Sequence, residues 1–351
     1  MAPLSDPDPD PDIDAVLRTL LLPFEQELLP RLDGVRVLML NARASTVLPA
    51  AADQWRLQQD FRPHADALAR MGLASTPELP TGEFDVVLLP APRQRQHGRA
   101  LLAQGFERLA RAGVLVACAG NDTGGRSLQR DLDALAGATH SLSKNRCRAC
   151  WAMRESDGEV ALARAWREAD APTVIAGGRF HSRPGVFAWD RIDPASALLA
   201  ASLPTDLHGR GADLGCGYGY LAAEVLARNP GVAALDLYEA DARALALARG
   251  NLHESTGAEL GFHWHDVAAG LPRAGYDFIV SNPPFHEGRA DRPELGIAFI
   301  RAAAAALRTG GSLFMVANRH LPYEATLAQE FARVRTLADQ QGFKVIEATR
   351  A

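Results

Sequence analysis

Gly211-Ala-Asp-Leu-Gly-Cys-Gly-Tyr-Gly219 is the stretch on which the fold of this 351-residue chain turns. Its small and apolar residues read as a short strand that runs into a turn with glycine at every second position. Such a turn lets the backbone adopt left-handed torsions and lets a ligand approach it closely. Leu221 to Arg228 then reads as a helix, so the turn ends at a helix N-terminus. Val232 to Tyr238 is an apolar strand closing at Glu239, and Ala242 to Leu252 is an alanine-rich helix. Phe262 to His265 is a short strand before Asp266. Tyr276 to Ser281 is another strand, ending at Asn282-Pro-Pro-Phe285. Helix 295–307, stopped by Gly310-Gly311, leads to strand Ser312 to Ala317. Strands and helices alternating at these lengths predict a parallel sheet with helices on both faces. The end breaks the pattern: Val334–Ala338 and Phe343–Ala348 flank Asp339-Gln-Gln-Gly342, which predicts an antiparallel hairpin.

The first half repeats this plan more weakly. Glu83-Phe-Asp-Val-Val-Leu-Leu89 parallels Gly275-Tyr-Asp-Phe-Ile-Val-Ser281, and proline follows both. Helix 98–111, Gly113 and strand 114–119 parallel helix 295–307, Gly311 and strand 312–317. His140–Ser143 and Arg148–Met153 match the final hairpin. The fold class expected is therefore α/β with two tandem Rossmann-like domains. Asn41-Ala-Arg-Ala44 stands where the second copy has its glycine turn, so the first copy is expected to be degenerate and to bind no cofactor. The expected boundaries are an acidic, proline-rich disordered tail over 1–14, a degenerate domain over 15–155, a linker over 156–184 and a catalytic domain over 185–351.

Composition excludes some classes. No apolar run reaches the roughly 18 residues of a membrane span, and the start lacks the pattern of a signal peptide. Four cysteines with a lone Cys147-x-x-Cys150 pair offer no second ligand pair for zinc, so no metal is expected and the chain reads as cytoplasmic. The net charge of −5 is unevenly spread. Ten bases against four acids lie between Arg93 and Arg148, including Arg93, Arg95 and Arg99, which suits a phosphate-binding face.

Gly215, Cys216 and Gly217 form the heart of the turn. Dinucleotide enzymes use similar turns, but here the glycine spacing differs from theirs and Asp213 precedes the turn by two residues. That aspartate suits a cofactor carrying an ammonium group. Glu239 at the next strand end suits both hydroxyls of a ribose, and Asp266 at the following one suits an adenine amino group. Asn282-Pro283-Pro284-Phe285 is the most specific signal. Its prolines remove backbone donors, which leaves the Asn282 side-chain oxygen and the Pro283 carbonyl to accept from a planar amine. Phe285 offers a face for a base to stack on.

Asp213-Leu-Gly-Cys-Gly217 with Asn282-Pro-Pro-Phe-His286 resembles the class I amino-methyltransferases, and more narrowly the bacterial small-subunit ribosomal RNA guanine-N2 methyltransferases. Arg183-Pro-Gly-Val-Phe187, Ala317-Asn-Arg-His-Leu-Pro-Tyr323 and Phe343-Lys-Val345 add to the likeness. The resemblance implies a seven-stranded, mostly parallel sheet with an antiparallel last hairpin and a degenerate N-terminal copy. It further implies S-adenosylmethionine as cofactor, the 2-amino group of a guanine in 16S ribosomal RNA as substrate, and a monomer acting on the small ribosomal subunit. His286, Arg289 and Arg292 follow the proline motif and are expected at the RNA, together with Arg93 and Arg95.

Other readings are a methyltransferase for large-subunit RNA, for a glutamine side chain of a protein, or for adenine in DNA. A non-enzymatic reading is a ribosome-binding or RNA-chaperone module. The intact glycine turn and proline loop argue against a module. Phe285 and the duplicated sheet domain argue against the glutamine enzymes, which carry tyrosine at that place.

Overall fold

A computed structural model describes residues 11–48, 54–252, 257–284, 286–287, 290–291 and 293–351. The chain forms two compact units, Met1–Ala171 and Pro172–Ala351. In the first, the strands are β1 (Val37–Met39), β2 (Trp55–Gln58), β3 (Ser75–Thr76), β4 (Phe84–Pro90), β5 (Leu109–Gly120), β6 (His140–Lys144) and β7 (Cys147–Met153). Helices α1 (Pro11–Glu25), α2 (Arg62–Arg70), α3 (Arg95–Glu107), α4 (Gly125–Ala136) and α5 (Val160–Ala169) are interleaved with them. In the second, a small hairpin of β8 (Thr173–Ile175) and β9 (Phe180–Ser182) precedes α6 (Pro194–Ser202). There follow β10 (His208–Leu214), α7 (Tyr220–Arg228), β11 (Gly231–Glu239), α8 (Ala242–Leu252), β12 (Glu259–Trp264) and β13 (Tyr276–Ser281). A two-residue ribbon, β14 (His286–Glu287) and β15 (Ala290–Asp291), leads to α9 (Pro293–Ala306), β16 (Leu307–Asn318), α10 (Glu324–Glu330), β17 (Arg333–Gln340) and β18 (Phe343–Thr349).

Both units carry a seven-stranded sheet of the same topology. The orders are β3-β2-β1-β4-β5-β7-β6 and β12-β11-β10-β13-β16-β18-β17. In each, the last hairpin and its pairing to the neighbouring strand, β5–β7 or β16–β18, are antiparallel, and the remaining pairings are parallel. The central strands bury both faces, as parallel strands covered by helices must. On β4, Val86 and Leu88 join one core cluster while Val87 and Leu89 join the other. On β13, Ile279 faces α9 residues Ile300 and Ala303, while Phe278 and Val280 pack with α6 and α7 residues Leu199, Ala222 and Val225.

The duplication extends to single contacts. Asp85 accepts the backbone N–H of Arg36 at 2.9 Å, and Asp277 accepts that of Arg210 at 2.7 Å, so each aspartate anchors the start of the central strand beside it. Gly113 and Gly311 occupy matching bends of β5 and β16. A Cβ at Gly113 would lie 2.9 Å from the Ala110 carbonyl, and one at Gly311 would lie 2.9 Å from the Tyr276 carbonyl.

Two sequence expectations change, and one reading gains its geometry. Residues 11–14, expected in the disordered tail, form the first turn of α1, while 1–10 lie outside the described residues. Segment 156–184 is not a bare linker: α5 buries Ala163 and Trp166 in the first unit's core, and β8–β9 belongs to the second unit. The packing of an amphipathic helix outweighs the glycines around it. The pair Cys147 and Cys150 lies on β7, three residues apart and therefore on opposite faces. Cys147 packs with Cys118 in one core cluster and Cys150 lies in the other, so the two thiols cannot share an ion. No helix among the described residues is long and apolar enough to cross a membrane.

Candidate active site

The order of the second sheet reverses between β10 and β13, since β10 pairs β11 on one side and β13 on the other. In open α/β sheets ligands settle beyond the carboxyl ends of the strands at such a point. Here that end carries the glycine turn on β10 and Asn282-Pro-Pro on β13. The two motifs are 67 residues apart in sequence between Gly215 and Asn282, yet one cleft is lined by Phe187, Asp193, Gly215, Cys216, Gly217 and Asn282, with Tyr218, Tyr220 and Leu221 completing its wall.

Gly215, Gly217 and Gly219 have φ of 73°, 56° and 91°, all left-handed. Among the described residues no atom lies within 4 Å of the place a Cβ would take at Gly217, so that glycine meets a torsional demand and leaves open space above it. The turn is tied to β11. The Gly215 backbone N–H donates to the Tyr238 carbonyl at 2.8 Å, and the Gly217 N–H donates to Glu239 Oε2 at 2.8 Å. Glu239 Oε1 accepts from the Asp241 N–H at 2.9 Å, so the carboxylate is fixed at both oxygens and keeps lone pairs for a hydroxyl. Burial pushes Glu239 up to about 7, against the pull of those two amides. Cys216 is buried and its thiol is pushed far up by burial, so it is a neutral wall and not a nucleophile.

Asp213 is 0% exposed and does not line the cleft. It lies beneath the turn and does not reach into the cleft to meet an ammonium group, because its place on the last residues of β10 turns its side chain inward. Neither of its oxygens makes a hydrogen bond of normal geometry among the described residues. Burial, reinforced by the charge of Glu239, pushes Asp213 up to about 8, and the Ala222 amide in the first turn of α7 opposes this only in part. A buried carboxyl left this way stays protonated at neutral pH and becomes a source of negative potential only when a cation seated near it favours its ionisation. Asp266 follows β12 as expected, and its Oδ1 caps a short turn by accepting the Ala268 N–H at 2.9 Å.

Asn282 is held from the other side. Its Nδ2 donates to Asp193 Oδ2 at 3.0 Å and to Ser196 Oγ at 2.8 Å. Both acceptors sit at the start of α6, and sequence reasoning named neither. The signal present, Asp193-Pro-Ala-Ser196, marks a helix N-cap but says nothing of its distant partner. Phe187, which is 61% exposed at the cleft, was quoted only as part of a matching phrase. Pro283 is buried and Pro284 exposed. Phe285, Arg289 and Arg292 lie outside the described residues, as does the side chain of His286.

The matching place in the first unit is filled by its own side chains. Gln58 stands where Glu239 does: its Oε1 accepts the Asn41 N–H at 3.0 Å, while its Nε2 donates to the Pro77 carbonyl at 3.2 Å. Asn41 Nδ2 donates to the Pro90 carbonyl at 2.8 Å, which ties the ends of the two central strands together. A separate cavity in this unit is lined by Pro92, Arg93, Arg95, Arg99, Thr123 and Ser127. Buried Asp131 takes both Arg95, through Nε at 3.0 Å and Nη2 at 2.8 Å, and Arg99 at 2.8 Å. The arginine face is thus partly neutralised: Arg93 and Arg95 are exposed and Arg99 is half-buried, and Asp131 holds the latter two.

Comparison with known proteins agrees with this geometry. Residues 177–347 match the family model described as methyltransferase small domain. Ribosomal RNA small subunit methyltransferase C of Shewanella loihica is 30% identical over 330 residues, covering 91% of this chain and 95% of the relative. The protein of the same name from Hahella chejuensis is 39% identical over 168 residues, 48% of each chain. Among solved structures, the T. thermophilus 16S rRNA N2 G1207 methyltransferase in complex with AdoMet and guanosine superposes with a TM-score of 0.78 at 23% identity, covering 98% of this chain and 93% of that one.

Proposed function

The chain belongs to the family of ribosomal RNA small subunit methyltransferase C proteins, and on that premise we propose that it methylates the exocyclic 2-amino group of a guanine in 16S ribosomal RNA. The observation that supports this reading is that the open glycine turn and Asn282 line one cleft. S-adenosylmethionine, the cofactor, supplies the electrophilic methyl of its sulfonium. The chain's residues supply position and charge. Gly215 and Gly217 would leave room for the cofactor, Glu239 would accept its ribose hydroxyls, and an ionised Asp213 would favour its cationic end. Asp266 keeps lone pairs for the adenine amine.

With its N–H groups engaged by α6, Asn282 has its oxygen left to accept from the guanine amine, and the Pro283 carbonyl is the second acceptor. Two acceptors fix the plane of the amine and aim its lone pair. As the methyl arrives the nitrogen becomes cationic, and both acceptors strengthen. The proton leaves afterwards to water, so no nucleophilic residue is needed. The guanine leaves its stack to reach the cleft, at a cost of a few kcal/mol. Phe285 is assigned to stack on it, with His286, Arg289 and Arg292 along the RNA strand. The reading extends to a monomer working on the small ribosomal subunit in the cytoplasm.

Titration of the intact chain with S-adenosylmethionine tests the cofactor half of the reading. One site per chain is expected, and Glu239→Ala should weaken it about 10- to 100-fold through loss of charged hydrogen bonds. Two equal sites would contradict the assignment, because Gln58 has closed the corresponding place in the first unit.

The arginine face is proposed to grip RNA phosphate. Arg93→Gln is expected to lower the slope of log affinity against log salt by up to about 0.7–0.9. Arg95→Gln should lower it less, since Asp131 already holds that side chain. A slope unchanged by Arg93→Gln would assign this face to solvent alone.

A further inference from the structure

A carboxamide has two edges, and only one of them serves the proposed chemistry. If Asn282 presented its NH₂ to the cleft, it would meet an amine donor with donors of its own. The two edges are nearly equal in shape, so groups other than the substrate must choose between them, and two residues of the cleft's own wall, Asp193 and Ser196, are placed to do so. The structure provides this choice at the start of α6. Asp193 Oδ2 lies 3.0 Å from Asn282 Nδ2, and Ser196 Oγ lies 2.8 Å from the same atom. An amide NH₂ has two hydrogens, and two acceptors use both. The oxygen is left for the other side.

The two acceptors are themselves fixed. Asp193 Oδ2 also accepts the Ser196 backbone N–H at 2.8 Å, as the N-cap of α6. Pro194 follows at the first helical position, where its ring sets the torsion of the helix start. Ser196 is 8% exposed, and α6 is anchored by Leu199 and Ala200 in the same core cluster as Val280 of β13. The helix start is therefore a rigid jig for the residue that follows β13. Asp193 adds charge to geometry. A carboxylate on the N–H side of an amide draws its hydrogens and leaves its oxygen richer in electrons.

We infer that Asp193 and Ser196 are positioning residues that lock the Asn282 carboxamide with its oxygen toward the substrate amine. The inference rests on the function proposed above, but its first test does not need catalysis. In the full chain labelled with ¹⁵N-asparagine, the side-chain NH₂ of Asn282, assigned by its loss in Asn282→Ala, is expected to be protected from hydrogen exchange. Ser196→Ala should remove that protection while leaving the helix folded, since alanine suits a helix interior. An unprotected NH₂ in the wild type would overturn the lock.

The second test is kinetic, on the full-length enzyme with S-adenosylmethionine and ribosomal RNA. Ser196→Ala is expected to lower kcat about 3- to 10-fold, and Asp193→Ala about 10- to 100-fold. Cofactor affinity should stay within about twofold by the same reasoning. Asp193→Asn keeps an oxygen acceptor and should recover part of the loss. In an Asn282→Ala background neither substitution should lower kcat further, because each acts through that side chain. A full additive loss in that background would make α6 merely structural, and a loss of cofactor affinity in place of kcat would make Asp193 a cofactor ligand; either result overturns the inference. If wild-type enzyme transferred no methyl to guanine, the proposed function would fail while exchange protection still decided the lock.

Discussion

Asn282→Ala is expected to lower kcat on ribosomal RNA by about 10²- to 10³-fold, the effect of removing one preorganised acceptor worth roughly 2.7–4 kcal/mol in the transition state. Affinity for S-adenosylmethionine should stay within a few-fold. The reason lies in when the side chain matters. Before transfer the guanine amine is neutral, and its hydrogen bond to the amide oxygen is an ordinary one. During transfer the nitrogen gains positive charge, so the same contact strengthens and lowers the barrier more than it aids binding. The half-buried position of Asn282 adds to this, because charge interactions beside a partly buried side chain are screened less than in open solvent. The substitution also leaves Asp193 Oδ2 and Ser196 Oγ without their shared donor. Thermal melting of the variant separates the resulting loss of stability from the loss of rate. A kcat near the wild-type value would remove Asn282 from the chemistry.

The affinity for S-adenosylmethionine is expected to rise about tenfold between pH 6 and pH 8 and to level off above that, with a limit of one decade per pH unit for each proton released. Two carboxyls beside the turn cause this. Asp213 is pushed up to about 8 and Glu239 to about 7, each chiefly by burial. Because each charge raises the other's affinity for protons, the two titrate as a pair. At neutral pH the empty cleft therefore holds protons there. A cationic ligand favours the ionised forms, so its binding expels protons, and it binds less well where they are hard to remove.

The sign for the unliganded protein is opposite. Folded pKa values above the unfolded ones mean that these groups favour folding most at pH below about 4 and lose that contribution as the pH rises through 7 to 8. Asp213→Asn is thus expected to raise the melting temperature of the unliganded protein at pH 8 while weakening cofactor binding. Titrations at several pH values, repeated in buffers of different ionisation enthalpy, measure both affinity and proton release. Affinity independent of pH over this range would show that Asp213 carries no charge coupled to the cleft.

The sheet was readable because β4 and β13 alternate buried residues on both faces between glycine and proline punctuation, a pattern that local sequence holds in full. The glycine turn and Asn282-Pro-Pro were readable for the same reason, and the structure brings them to one cleft. What local sequence does not hold is the direction of a side chain and the identity of a distant partner. Asp213 ends a strand as expected, yet it is fully buried and does not line the cleft. Asn282 meets residues 86 and 89 positions away, and nothing near either partner announces the pairing. Gln58 was overlooked because the missing glycines at Asn41–Ala44 already signalled the degenerate copy, while the group that fills the gap lies on the neighbouring strand. The start of α1 was hidden by its acidic, proline-rich composition, which marks disorder until the apolar stripe of Leu17, Leu20 and Leu21 supplies a core contact.

The most direct test of the account is the fate of the methyl group itself. The purified chain is incubated with S-adenosylmethionine bearing a deuterated methyl and with small ribosomal subunits from cells lacking this protein, and the 16S ribosomal RNA is digested and mapped by mass spectrometry. The account predicts the heavy methyl on the N2 of guanine at a single site, and its absence when Asn282→Ala enzyme is used for the same time. Heavy methyl on adenine or on another atom of the 16S ribosomal RNA, or none transferred at all, would contradict it.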